Sequence, residues 1–326
     1  MRILLSRTDR VGDLILSTPA IATVRKSFPH AHVTIACSVY NRVVMERNTD
    51  VDRIIALPRE VKPSAFASSL RGQFDVAVAL APRIADWAIV GASQAPVRLG
   101  YTYMRRYLTR LSARRYLTRL ILSHADPLLA ESQPAHRVLH EVDQLLSLVA
   151  IAGADRRVRA LRIDVDDADR AAVAHLPIDP ITFHLGKRWF SGGSTLRSAV
   201  ELVGELKAFG APVVVTYAPE CAAAANDFGV NADALAGNLT FHQWAAAFER
   251  SRCVVTVDTG ATHVASAMGR PLVVAFEHRY FALSSQEWAP YRVPYVAVRK
   301  PAGESADSLR RLRAEVCEGV SRLIRA

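Results

Sequence analysis

The chain has 326 residues, 41 basic and 31 acidic side chains, and a formal net charge of +10. Half the residues are hydrophobic and 22% are charged, which excludes a disordered or low-complexity chain, and the length suits about two domains of roughly 150 residues each. Only five basic residues are Lys (Lys26, Lys62, Lys187, Lys207, Lys300), so the charge is largely an Arg-rich background and is not by itself a sign of nucleic acid.

In chain order, residues 2–6 are a short apolar run followed by the polar turn RTDRVGD. Residues 14–28 recur at helical spacing through Leu14, Ile21, Val24 and Phe28, with Pro19 inside the run, where it removes a backbone donor. Residues 32–37, 51–57 and 74–80 are strand-like, and 39–46 and 64–71 are helix-compatible. Near-continuous apolar strands alternating with helices predict a parallel sheet covered on both faces. Residues 101–120 break this rhythm: RRYLTRL stands at 105–111 and again at 114–120, and seven Arg but no acid lie between Arg98 and Leu120. Residues 134–152 read as a helix, and the acidic stretch 164–169 as the start of a second domain. Strands are expected at 180–185, 212–217, 253–257 and 271–276. Helices are expected at 195–209, 219–228, 241–250 and 261–268, with a closing amphipathic helix over 305–325. Two doubly wound domains follow, with ligands expected beyond the carboxyl ends of the strands, in a cleft between the domains. Cys37, Cys221, Cys253 and Cys317 stand far apart with no CxxC, which argues against a zinc ribbon or a disulfide framework. No segment reaches the roughly 18 apolar residues of a membrane span. The opening run is too short for a signal peptide, so a cytoplasmic protein is expected.

Four segments carry chemistry. In SRTDRVGDL, residues 6–14, Gly12 permits a tight turn and Asp13 falls near a helix N-terminus, where the dipole favours a carboxylate. A plain N-cap is the other reading of Asp13, and no GxGxxG is present to indicate a dinucleotide site. In VVTVDTGATHVASAMG, residues 254–269, a buried strand runs into Asp258, Thr259, Gly260, Thr262 and His263 at a helix start. That arrangement suits a phosphate, whereas the bland reading is an ordinary strand-to-helix turn. The Asp-Thr-Gly also resembles an aspartic-protease turn. That chemistry needs two carboxylates sharing a proton, and only one such turn occurs, in a chain that alternates strand and helix. In HLGKRWF, residues 184–190, Lys187 and Arg188 follow a strand, where they can meet a diphosphate or simply face solvent. In TYAPE, residues 216–220, Glu220 can accept from a ribose or base donor, or be a routine first-turn acid.

Together these segments resemble glycosyltransferase family 9, the ADP-heptose:lipopolysaccharide heptosyltransferases. The opening ILLSRTDRVGDLILSTPAIATVRKSFPHAHVT is similar to the family's N-terminal signature and VVTVDTGATHVASAMGRPLVVAF to its C-terminal one; KRW and RLGY (98–101) also fit. The resemblance implies an α/β GT-B fold with a Rossmann-like acceptor domain over 1–163 and a Rossmann-like nucleotide-sugar domain over 164–304. The closing helix 305–326 would cross back onto the first domain. It implies an inverting sugar transfer that needs no metal and no cofactor beyond the nucleotide-sugar substrate, a heptose carried on ADP, with a lipopolysaccharide-core or related glycan as acceptor. Asp13 matches the catalytic general base, Lys187 the neutraliser of donor phosphate, Glu220 an acid near the adenosine, and Asp258 a holder of the donor sugar. Thr259, Gly260 and His263 match the phosphate loop, with Arg188 beside them. Arg10, Arg98, Tyr101, Arg105 and Arg106 are the expected acceptor contacts. The chain departs from the family at two turns: Glu277-His278-Arg279 replaces a glycine-containing turn, and TYAP replaces another.

The residue chemistry fits this scheme, since a sugar hydroxyl needs a base and a departing diphosphate needs fixed positive charge. The cationic segment 98–120 suits a phosphorylated, lipid-linked acceptor and an anionic membrane surface, on the cytoplasmic face of the inner membrane in a bacterial cell. A solvated basic helix pair made by duplication is the plain alternative for it. A catalytically inert GT-B-like binder of nucleotide sugar or glycan remains the rival function, resting on the 277–279 turn. Nucleic-acid binding is disfavoured because no known recognition module is present.

Overall fold

The computed structural model describes residues 1–58, 69–104, 106–123 and 138–325. The chain divides into two compact units, Met1–Arg162 and Ile163–Ala326, one residue before the expected boundary.

The first unit contains β1 (Arg2–Arg7), α1 (Val11–Ser27), β2 (His32–Ser38), β3 (Arg53–Leu57), β4 (Val76–Ala79), α2 (Ile84–Ser93), β5 (Val97–Tyr103), α3 (Tyr107–Arg114), β6 (Arg119–Ser123) and α4 (Glu141–Ile151). Its six strands are parallel in the order β3-β2-β1-β4-β5-β6. This is the doubly wound order, in which the chain reverses direction between β1 and β4. Five of the six residues of β1 are buried, as the middle of a two-faced sheet requires. Helix α1 runs through Pro19 without a break. Pro19 cannot donate to the carbonyl of Ile15, and the Thr18 hydroxyl donates to that carbonyl instead, at 2.7 Å. Helix α4 packs against α1.

Some expectations change. Residues 39–46 yield only a 3-10 turn over Arg42–Val44. The helix expected over 64–71 lies mainly outside the described residues, as does the 134–137 start of the next one. Elements α2, β5 and β6 are additions that the sequence pattern did not indicate. The repeat 101–120 is not a helix pair: residues 107–111 of its first copy lie in α3, whereas its second copy, after Arg114 ends that helix, forms a turn and the start of β6.

The second unit contains α5 (Asp167–Ala172), β7 (Ile181–Leu185), α6 (Leu196–Leu206), β8 (Val213–Tyr217), α7 (Ala222–Ala225), β9 (Ala234–Ala236), α8 (Phe241–Glu249), β10 (Cys253–Val257), α9 (Gly260–Ala267), β11 (Leu272–Phe276), α10 (Phe281–Glu287), β12 (Tyr295–Arg299) and α11 (Ala306–Arg325). The acidic stretch at its start is a helix cap: Asp166 accepts from the Asp169 backbone N–H, and Asp169 accepts from that of Asp166. Its strands are again all parallel, in the order β12-β11-β10-β7-β8-β9, the same winding with the reversal between β7 and β10. The buried stripe of the closing helix, Leu312, Val316 and Val320, joins Val255, Val273 and Val298 in the second unit's core. No helix among the described residues is long and apolar enough to cross a membrane.

Candidate functional site

Beyond the carboxyl ends of β1, β4 and β5, the first unit gathers a charged group around Arg7. This side chain is buried at the end of an apolar strand. Its Nε donates to Asp9 at 2.9 Å, its Nη1 to Glu141 at 2.6 Å and to the Leu80 carbonyl, and its Nη2 lies 3.2 Å from Asp13 Oδ1. Burial disfavours the guanidinium charge, but Asp9, Glu141 and Asp13 outweigh it and hold the Arg7 pKa above its ordinary value. The Tyr101 hydroxyl donates to the same Glu141 oxygen at 2.8 Å. Asp13 sits in the first turn of α1 with its side chain 20% exposed and its Oδ1 held by Arg7. Arg10, the N-cap residue, is exposed and makes no side-chain cap bond.

Asp86 holds the adjoining loop. It accepts from the Ser6 hydroxyl at 2.8 Å, the Thr8 N–H at 2.9 Å and the Thr8 hydroxyl at 3.0 Å. Burial, then the charge of Asp9, pushes its carboxyl up to about 6 against those bonds and Arg7. The folded value therefore lies above the unfolded one. The cost of ionising Asp86 is fully present above pH 6 and is relieved as pH falls toward 3.8. Relative to Asp86→Asn, the native protein should gain about 2–3 kcal/mol between neutral pH and the carboxylate range, read from urea unfolding at a series of pH values. The opposite slope, loss of stability on acidification, belongs to His184 in the second unit. Burial pushes that imidazole down to about 4, so the comparison must be made against the Asp86 variant rather than from the native curve alone.

In the second unit, β10, β7 and β8 are adjacent, and the residues following each carry the donor-type groups. Lys187 and Arg188 lie in a 3-10 turn after β7, Glu220 in one after β8, and Asp258 directly after β10. Arg188 Nη1 donates to Asp258 Oδ2 at 2.7 Å and to the Asp258 carbonyl at 2.5 Å. Lys187 and Glu220 are both exposed, and both act on the Cys221 thiol, which burial and then Glu220 raise while Lys187 opposes. Thr259 is the N-cap of α9, yet its hydroxyl donates back to the Val257 carbonyl at 3.2 Å, and Thr262 does the same at 3.3 Å. The first turn of α9 therefore has no side-chain cap, which is the arrangement an anion needs. His263 is buried on this turn.

The loop bearing Lys187 and Arg188 is pinned from below. Lys300 is fully buried, and its ammonium donates to the Arg188 carbonyl, to the Ser191 carbonyl at 2.7 Å and to Glu277 Oε1 at 2.9 Å. Burial lowers the Lys300 pKa, and Glu277 opposes that effect. Gly193, at φ +87°, closes the loop over Pro301, whose carbonyl oxygen would lie 1.9 Å from any added Cβ. Glu277, the departure from the family turn, thus has a definite use.

The structure brings Asp13 to Arg7, and Lys187, Arg188, Glu220, Asp258, Thr259, Gly260 and His263 to one end of one sheet. It does not bring Arg98 to Asp13. Arg98 stands near the opposite end of β5 and donates to the Tyr116 carbonyl at 2.8 Å and the Ala95 carbonyl at 2.7 Å. Tyr101 is buried against Glu141, and Arg106 stacks over the Tyr103 ring at 4.9 Å. Arg105 lies outside the described residues. The sequence reading overlooked Arg7, Asp9, Asp86, Glu141 and Lys300. A charged residue closing an apolar strand was the available signal for Arg7, and scarcity of Lys was the signal for Lys300.

Two Rossmann-like units in tandem define a protein of the GT-B class. Residues 200–315 match the family model of glycosyltransferase family 9 (heptosyltransferase), a span that holds Glu220 and Asp258–His263 but not Asp13, Lys187 or Arg188. The chain is 22% identical over 285 residues to lipopolysaccharide heptosyltransferase 3 of Escherichia coli, covering 81% of this chain and 80% of that protein. It superposes on a glycosyl transferase family 9 structure from Veillonella parvula with a TM-score of 0.77 at 18% identity, covering 99% of this chain and 97% of the other. It superposes on ADP-heptose lps heptosyltransferase II of E. coli with a TM-score of 0.74 at 19% identity, covering 99% and 98%. The resemblance to glycosyltransferase family 9 read from the sequence is borne out.

Proposed function

We propose that this protein is an inverting glycosyltransferase that moves a heptose from ADP-heptose onto a lipopolysaccharide-core or related glycan hydroxyl. Asp13 takes the hydroxyl proton as the new C–O bond forms, and Arg7 fixes its carboxylate in one orientation. Charge builds on the departing ADP as the old C–O bond breaks. Lys187, Arg188 and the uncapped first turn of α9, through Thr259 and Gly260 with His263 beside them, stabilise it without a metal. Asp258, oriented by Arg188, holds the donor sugar, and Glu220 accepts from the adenosine. Arg10 and Arg106 contact a phosphorylated acceptor. The observation that carries this reading is the partly exposed Asp13 carboxylate held 3.2 Å from a buried Arg7 at a helix start. The names of the relatives, which include ADP-heptose and lipopolysaccharide, support the choice of donor and acceptor.

Thermal-shift titration with ADP-, UDP- and GDP-sugars tests it. A ligand at a hundredfold its Kd adds about 2.7 kcal/mol to the native state, so ADP-heptose should raise Tm clearly and the other two should not. A Tm rise without any transfer to a lipopolysaccharide-core acceptor would favour the inert binder. No response to any of the three would overturn the donor reading. The 277–279 turn is the sole support for the inert alternative, and Glu277 in that turn is accounted for by its bond to Lys300.

A further inference from the structure

The two copies of RRYLTRL have opposite fates. In the second copy Leu117 is 7% exposed and packs into the first unit's core, with Tyr116 and Leu120 against it. A Cβ at Gly100 would stand only 2.7 Å from Leu117, so the neighbouring strand is shaped to receive that side chain. In the first copy the equivalent residues face outward: Tyr107 is 70% exposed, Leu108 81% and Leu111 60%. Ala113, roughly half a turn around α3 from these residues, is the one residue of the helix that is buried. Helix α3 therefore points its apolar side away from the body of the unit. Met104 is also exposed.

Cations border this face, and the segment that carries it contains no acid. Arg110 and Arg114 lie one turn apart along its edge, Arg115 follows, and the sequence from Arg98 to Leu120 contains no Asp or Glu. Arg110 lies over the Tyr107 ring at 5.5 Å, and Arg114 and Arg115 are exposed. Leucines left in water beside arginines suit one environment above others. At a bilayer interface the leucines enter the acyl boundary and the guanidinium groups stay among anionic headgroups. A polyphosphate surface would reward the arginines but leave Leu108 and Leu111 in water.

We propose that α3 docks this protein on an anionic lipid bilayer, with Tyr107, Leu108 and Leu111 inserted and Arg110, Arg114 and Arg115 on the headgroups. This goes beyond the proposed transfer reaction and does not depend on it.

The test is co-sedimentation of the full chain with vesicles of phosphatidylcholine alone and with phosphatidylglycerol added. The native protein should bind the anionic vesicles and not the neutral ones. Leu108→Ser/Leu111→Ser, which leaves the charge unchanged, should weaken binding by about tenfold or more. Arg110→Glu/Arg114→Glu should do the same, whereas Arg197→Glu/Arg310→Glu, an equal charge change on exposed residues elsewhere, should not. ADP-heptose thermal shifts should be the same in the native chain and both α3 variants, which separates a failure here from a failure of the donor reading. Unchanged vesicle binding in the leucine variant would overturn the proposal. So would concentration-dependent self-association that the leucine variant abolishes while vesicle binding is absent, because the patch would then meet protein.

Discussion

Asp13→Asn should reduce sugar transfer by at least about 100-fold, the low end of what a positioned general base contributes. Asparagine keeps the shape and still offers an oxygen to Arg7 Nη2, which lies 3.2 Å from Asp13 Oδ1. It cannot accept the acceptor's proton. The groups proposed for the donor all lie in the other unit, beyond β7, β8 and β10. The donor-induced rise in Tm should therefore be the same in the variant and the native protein, while ADP release in the presence of acceptor collapses. Full transfer by Asp13→Asn would remove Asp13 from the base role. Loss of donor binding as well would mean that the residue acts on structure rather than on the proton.

Lys300→Met should cost about 1–3 kcal/mol, because it leaves the part-buried Glu277 carboxylate and two carbonyls without their shared donor. Glu277 would lose its 2.9 Å partner, and the carbonyls of Arg188 and Ser191 would lose a shared donor. Adding Glu277→Gln should recover part of that loss, since the uncompensated charge is then gone, and a double-mutant cycle by urea unfolding measures the coupling. The same loop carries Lys187 and Arg188, so Lys300→Met should also weaken ADP-heptose binding at temperatures well below its transition. Unfolding as stable as the native protein's would show that Lys300 is not buried in the way described.

Much of the site was legible because chemistry sat at recognisable places in the winding. Asp13 follows the first strand, Lys187 the seventh, and Asp258 the tenth, each at a strand-to-helix turn where apolar periodicity changes. The supporting shell was not legible. Arg7 and Glu141 are 134 positions apart and Lys300 and Arg188 are 112 apart, so their contacts exist only once each sheet has formed. Pro19 was a warning of a kink on local grounds, and the Thr18 hydroxyl removed the reason for one.

By itself the sequence determined the α/β alternation, the two-unit organisation, the turns that bear Asp13 and Asp258, and the resemblance to glycosyltransferase family 9. What the tertiary structure alone decided is clearest in RRYLTRL. One heptapeptide has one set of intrinsic propensities, yet residues 107–111 of its first copy are helical with Tyr107 and Leu108 in solvent, and residues 115–120 of its second form a turn and the start of an edge strand with Leu117 in the core. The second copy lies where Arg119–Ser123 can pair with the open side of β5 and where Gly91 and Gly100 leave room for Tyr116 and Leu117. Strand pairing and burial outweigh local preference there. Residues 107–111 of the first copy pair with no strand among the described residues; the helix satisfies their backbone, and Tyr107, Leu108 and Leu111 face outward.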